Sequence, residues 1–166
     1  MDAIIYTSNT GSTKRYAEML GERLSKPVFS SEKAPAELEG KQIIYMGWVM
    51  ASSIQGLADA VKKYDVKAVC AVGILSMGDD EKSREELISK NPVTGSLYCL
   101  PGCFNIKNLS GIYKMMMSMM VKKVESEMKK KENISESERK ALKAFTEGID
   151  LVDGAKLDEI VTEFAE

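Results

Sequence analysis

The 166-residue sequence contains no histidine. This removes Ser–His–Asp and Cys–His catalytic pairs, and with them His-ligated metal sites. Cysteine is scarce: Cys70, Cys99 and Cys103 form no CxxC pair. An odd number of thiols without metal spacing reads as reduced and structural. Cys99 and Cys103 bracket Leu-Pro-Gly, a spacing at which the two thiols can approach each other. No apolar run nears the ~18–20 residues that a membrane-spanning helix needs. No basic leader precedes an apolar stretch, since Met1-Asp2-Ala3-Ile4-Ile5-Tyr6 reads as a strand from the outset. That pattern predicts a cytoplasmic chain without a signal peptide. Neither sign of charge dominates, with 23 basic against 25 acidic residues and a net charge of −2. Such a balance speaks against nucleic acid as a main partner.

What is present is ordinary globular material, 44% hydrophobic and 29% charged, in a length that suits one domain with a real core. Ala3–Thr7 is a short apolar, β-branched run and predicts a first strand. Ala17, Leu20 and Leu24 mark one face of a helix over 14–24. Val28-Phe29, Gln42–Met46, Val66–Ile74 and Ser96–Leu100 predict four more strands, of which Val66–Ile74 is apolar enough to be buried on both faces. Ser53 precedes Ile54, Leu57, Ala58 and Val61, which fall at helical spacing. Ser83–Ser89 predicts a helix stopped by Asn91-Pro92. Leu157, Ile160, Val161 and Phe164 predict a last helix, with Asp153 as its cap. Strand and helix alternate, which implies a parallel sheet with helices on both faces.

The chemistry lies first in the loop after strand 1, Ser8-Asn9-Thr10-Gly11-Ser12-Thr13. It joins a strand to a helix N-terminus, where free N–H groups and the helix dipole attract an anion. Its hydroxyls can donate to phosphate oxygens, and Gly11 lets the backbone approach closely. Neither GxxxxGK[ST] nor GxGxxG is present. The plainer reading is a polar turn with a capping threonine, although turn chemistry alone does not call for several hydroxyls around one glycine.

At these residues the chain resembles the flavodoxins, whose phosphate loop reads [ST]-x-T-G-x-T directly after the first strand. Residues 8–13 match that pattern in full. The resemblance implies a doubly wound five-stranded parallel sheet of order 2-1-3-4-5, and FMN as a non-covalent cofactor. It assigns the FMN phosphate to Ser8, Asn9, Thr10, Gly11, Ser12 and Thr13. It also implies a ring-side loop after strand 3, here Trp48, Val49, Met50 and Ala51 within Gly47–Ser53, with the sole tryptophan beside the isoalloxazine. Burial as a cap on the core is the alternative for Trp48. A third loop, Leu75, Ser76, Met77 and Gly78, would line the flavin after strand 4. Flavodoxins often place a stacking tyrosine there and this sequence has none, while Gly78-Asp79-Asp80 also suits a plain turn.

Residues 104–148 exceed what five strands require and form a helical insertion before the last helix of a single domain, 1–166. Leu100-Pro101-Gly102-Cys103-Phe104-Asn105 leads into the Met-rich run Ile112–Val121. Here the chain resembles the flavodoxin-type protoporphyrinogen oxidase subgroup. In a helix, Lys114, Ser118, Lys122 and then Glu125 or Ser126 form one narrow polar stripe. The remaining apolar surface fits either deep burial or an adaptable surface for a partner. Ser135-Glu136-Ser137-Glu138 looks like a capping box for a further helix to about Gly148.

Two functions follow from the resemblance. One is an FMN-dependent oxidoreductase of the protoporphyrinogen oxidase type, passing electrons to a quinone. The other is a one-electron carrier serving a redox partner protein. The insertion and the mild net charge favour the first, since carrier flavodoxins are usually much more acidic. Nothing in the sequence is a recognisable substrate acid or base, so the catalytic residues stay unassigned and no metal is expected. The run 112–121 leaves open a homodimer or a weak, salt-sensitive membrane contact through Lys107, Lys114, Lys122 and Lys123. A flavodoxin-fold module without cofactor is the remaining alternative, opposed by the intact 8–13 loop.

Overall fold

The computed structural model describes residues 1–73, 81–104, 111–129 and 147–165. The chain divides into two compact units, Met1–Gly102 with Leu151–Glu166, and Cys103–Asp150. In the larger unit, strands β1 (Ala3–Thr7), β2 (Val28–Ser30), β3 (Gln42–Met50), β5 (Asp65–Gly73) and β6 (Ser96–Pro101) form one sheet in the order β2-β1-β3-β5-β6. All four pairings along that path are parallel. Numbered by parallel strands alone the order is 2-1-3-4-5, the flavodoxin-like arrangement, with its switch point between β1 and β3.

Alternation along each strand sends residues to opposite faces. On one face Ile4, Ile44, Met46, Cys70, Val72 and Leu100 pack with Tyr16, Ala17 and Leu20 of α1 (Ser12–Leu24) and Ile160 of α5 (Asp158–Phe164). On the other face Ile5, Ile43, Tyr45, Val69 and Leu97 pack with Leu57 of α2 (Leu57–Lys63) and Leu87 of α3 (Glu81–Lys90). Burial on both faces explains why the central strands read as continuous apolar runs rather than alternating ones. Tyr16 fastens α1 to the far end of the sheet: its hydroxyl donates to Pro101 O at 2.8 Å and accepts from Asp153 N at 2.9 Å. At the opposite end, Glu163 of α5 accepts from Ser96 Oγ at 2.7 Å and from the Tyr98 hydroxyl. Those two donors hold the Glu163 carboxyl below the usual range.

Three expectations from the sequence need correcting. Strand β3 does not stop at Met46 but runs to Met50, because Gly47 and Trp48 continue the pairing with Ala71 and Val72. Ser53 does not start a helix: Ser53–Ile54 is a short strand, β4, that folds back antiparallel on Val49-Met50, and α2 begins only at Leu57 behind Gly56. Ile54 had matched the helical spacing because its side chain, 3% exposed, joins the same buried cluster as Leu57 from the hairpin. Asp153 caps a short 3-10 turn, Gly154–Leu157, through Ala155 N rather than the last helix itself.

In the smaller unit, β7 (Cys103–Phe104) pairs antiparallel with β8 (Ile149–Asp150), and α4 spans Gly111–Lys129. Ile112, Met115, Met116 and Met119 are exposed by 62%, 58%, 52% and 65%, so deep burial does not account for the whole apolar surface of this helix. The capping box at 135–138 lies outside the described residues. None of the three cysteines takes part in a disulfide.

Candidate functional site

The C-terminal edge of β1 and β3 holds the loop singled out by sequence. Thr7, the last residue of β1, pairs with Gly47, so Ser8 leaves the sheet level with Trp48 of the neighbouring strand. Gly11 caps α1 at φ 98°, a left-handed conformation that a side chain would strain, and as the N-cap residue it supplies no side-chain hydrogen bond to the helix. The first turn carries no acidic residue. The helix thus presents its N-terminal N–H groups and positive dipole end without a built-in counter-charge.

Two atoms complete the picture. Thr13, 1% exposed, has a buried hydroxyl with no hydrogen-bond partner, and Asn9 has a buried Nδ2 in the same condition. Among the described residues these are the only buried side-chain nitrogen or oxygen atoms left unpaired, and both fall within residues 8–13, Asn9 in the loop and Thr13 in the first turn of α1. An unpaired buried polar group costs about 1–3 kcal/mol, so folds rarely tolerate one without a use for it. Ser12 is also buried, at 4% exposure. Ser8 Oγ accepts from Lys14 N at 3.4 Å, a long contact. Lys14 itself points away into an exposed pair with Glu18 at 3.5 Å. The loop therefore offers dipoles and donors, not a fixed cation, to a small multi-oxygen anion. A phosphate monoester fits that donor set.

Trp48 stands on β3 two residues beyond Met46 and on the same sheet face, that of α1. It is half-buried, the next rung outward from the buried core. Met50 follows on that side. Val49 points the other way and packs against the opposite core. Ala51 is exposed at a two-residue turn between β3 and β4. Of the four residues expected beside a flavin ring, Trp48 and Met50 thus share the face of α1, the helix that follows the 8–13 segment. Leu75, Ser76, Met77 and Gly78 lie outside the described residues, just past Gly73 at the end of β5.

The hairpin itself was not anticipated. Ala51 and Ser52 adopt φ 49° and 63°, a left-handed pair that hairpins normally fill with Asn-Gly. Each non-glycine residue so placed costs on the order of 1 kcal/mol. Surrounding contacts hold it. Gln55 N donates to Trp48 O at 2.9 Å. A Cβ on Gly47 would sit 2.6 Å from Ile54 Cγ2 and 2.8 Å from Gln55 O, so only glycine lets the returning chain cross β3 this closely. Asn91 accepts from Ile54 N at 2.7 Å and donates to Ser52 O at 2.7 Å. Beneath the turn the Tyr45 hydroxyl donates to Gln55 O at 2.8 Å and lies 2.7 Å from Thr7 Oγ1, which in turn meets Ser31 Oγ at 2.9 Å. Burial pushes the Tyr45 phenol up to about 12, against the opposing pull of its bond to Thr7. In the sequence, Asn91 carried only the signal of a helix end before proline, and Gly47 none.

Other reactive groups stand apart from this edge. Burial drives the Cys70 thiol far above its ordinary range, with Cys99 adding to the shift, so Cys70 is a core residue rather than a nucleophile. No group of His, Cys, Asp or Glu among the described residues could hold a metal ion. No helix among them is long and apolar enough to cross a membrane.

No family model matches the chain, and no curated protein matches it. Among solved structures, a flavodoxin from the domain Archaea aligns at 16% identity over 65% of this chain and 88% of its own, with a TM-score of 0.38. A provisionally assigned flavoprotein from Bacteroides uniformis aligns at 13% identity over 70% of this chain and 97% of its own, with a TM-score of 0.40.

Proposed function

We propose that this chain binds FMN at the 8–13 loop and works as a flavin-dependent electron-transfer protein. The observation that carries the reading is the pair of buried, unpaired donors, Asn9 Nδ2 and Thr13 Oγ1, at a helix N-terminus whose N-cap is a glycine. A phosphate monoester satisfies both donors and the free N–H groups together, whereas a neutral ligand would leave the dipole unused. Trp48 and Met50, one strand over and on the same face, supply an apolar wall for a planar ring. When bound, FMN supplies one- and two-electron chemistry. The chain's own part is to hold the phosphate, to orient the ring against Trp48 and to keep water from that face. FMN titration followed by tryptophan emission tests this directly, since the protein has a single tryptophan. Saturable quenching at one flavin per chain is the expected result.

A second, finer reading concerns the acceptor. Ile112, Met115, Met116 and Met119 fall at i, i+3, i+4 and i+7 and form one exposed stripe on α4. Methionine surfaces adapt to varied apolar ligands. Exposed Lys114, Lys122 and Lys123 accompany the stripe. These features favour an oxidoreductase that passes electrons to a hydrophobic acceptor of the quinone class over a carrier that docks through charge. Met116→Glu with Met119→Glu should leave the protein folded and yellow but abolish quinone-linked turnover. If turnover survives and only self-association is lost, the stripe is a dimer face and the acceptor reading fails.

A further inference from the structure

We infer that Asn91 is a positioning residue for the flavin ring, acting through the Ala51-Ser52 turn rather than by touching the ligand. The inference rests on the FMN reading above and concerns a residue that no motif marks. Asn91 directly follows α3. Its amide is used in full: Oδ1 accepts from Ile54 N at 2.7 Å, and Nδ2 donates to Ser52 O at 2.7 Å and to Leu87 O at 2.8 Å. One donor and two acceptors fix the amide's orientation, since a flip would set N–H against N–H and oxygen against two carbonyls. Two of the bonds reach the hairpin backbone, one at Ser52 within the left-handed pair and one at Ile54 just beyond it, and the third anchors the amide to its own helix. Leu87, 1% exposed, roots that helix in the core. A further link runs from Ser52 Oγ to Glu86 Oε1 at 2.9 Å, and Glu86 is held in turn by Lys90 Nζ at 2.5 Å.

The turn needs such help. Ala51 and Ser52 are both left-handed, with φ 49° and 63°, and neither is a residue that prefers to be so. Without the clamp, the turn would relax toward conformations that splay β3 from β4. Trp48 and Met50 stand on the strand that would move, and Gln55 N hydrogen-bonds to Trp48 O. Asn91 therefore sets the direction of the wall against which the ring rests. None of its hydrogen bonds reaches the 8–13 loop, which leads from β1 into α1, so Asn91 serves the ring half of the proposed site.

The test separates ring from phosphate. In Asn91→Ala, affinity for riboflavin and FMN should fall on the order of tenfold, as expected for loss of a buried hydrogen-bonded support. Quenching of Trp48 at saturation should weaken, and the visible band of bound flavin should move toward that of free flavin. Protection by inorganic phosphate of loop amides in hydrogen exchange should stay unchanged. Adding Ala51→Asn and Ser52→Gly, a pair that adopts the left-handed turn unaided, should restore quenching and the bound-flavin spectrum. A structural role unrelated to the turn would not be rescued this way. Should Asn91→Ala fail to fold, Asn91→Asp keeps the acceptor for Ile54 N and removes both donors, and the same readouts apply. Unchanged flavin affinity and unchanged quenching in a folded Asn91 variant overturn the inference, as does a triple variant that folds without recovering them. If the unaltered protein binds no FMN, the FMN reading fails first and this inference falls with it.

Discussion

The two sides of the candidate site are built on opposite principles. The loop over 8–13 leaves its polar atoms unspent: a glycine cap, no acidic residue in the first turn, and buried donors on Asn9 and Thr13 with nothing to meet. The hairpin over 49–54 is over-connected, with its strained turn tied to Asn91, Glu86, Gln55 and the Gly47 crossing. One region stores unsatisfied hydrogen-bonding capacity, and the other stores backbone strain that its neighbours hold in place. The difference teaches that a ligand's charged end and its flat end call for opposite surroundings. An anion site must keep its donors free, whereas a stacking wall must be stiff and needs no free donors at all.

The largest effect should come from removing the free donors. Asn9→Ala with Thr13→Val is expected to weaken FMN binding by about 100-fold or more, since each hydrogen bond to a charged group is worth about 1.5–3 kcal/mol. Thr13→Val alone should raise the stability of the flavin-free protein by about 1 kcal/mol in urea unfolding, because it deletes an orphaned buried hydroxyl without changing side-chain shape. Opposite signs for binding and stability are the mark of a donor kept for a ligand, and parallel losses would break the comparison. Next in size, Gly47→Ala should cost about 1–3 kcal/mol in the same unfolding measurement, because its methyl meets Ile54 and Gln55 where nothing can yield cheaply.

The pH dependence of Tyr45 probes the support beneath the hairpin. The phenol titrates at 10.0 in the absence of the fold and at about 12 within it, so the native state holds the proton more tightly. Its contribution to stability is complete below pH 10 and is lost as pH rises through 12. The loss amounts to on the order of 3 kcal/mol. Tyr45→Phe should flatten that part of the stability profile while removing the bond to Gln55 O. The smallest effect belongs to the turn: Ala51→Asn with Ser52→Gly should stabilise the flavin-free protein by about 1 kcal/mol and leave FMN affinity in the presence of Asn91 nearly as it was.

Much of this architecture was legible in the sequence because burial on both faces writes itself as uninterrupted apolar runs. The 3–7 run and the strand over 65–73 are such cases. The candidate anion loop could be singled out because its signal is local: six consecutive residues, one glycine and a helix behind them. The hairpin was not, and the reason is physical. Gly47 is required by a contact with Ile54 and Gln55 that exists only after the chain has turned back, and Asn91 acts on Ser52 and Ile54 across 39 and 37 residues. Ala-Ser carries none of the turn chemistry that marks a tight hairpin, so its strain is visible only in the backbone. Ile54 misled for a related reason, since burial from a hairpin and burial from a helix leave the same apolar letter.

The most direct single measurement compares FMN with riboflavin, which differ by the phosphate alone. Titrated against the unaltered protein and followed by Trp48 emission, FMN should bind at least about 100-fold more tightly, the value of two or more charge-assisted hydrogen bonds from the 8–13 loop. Equal affinities for the two flavins would contradict the assignment of that loop to a phosphate.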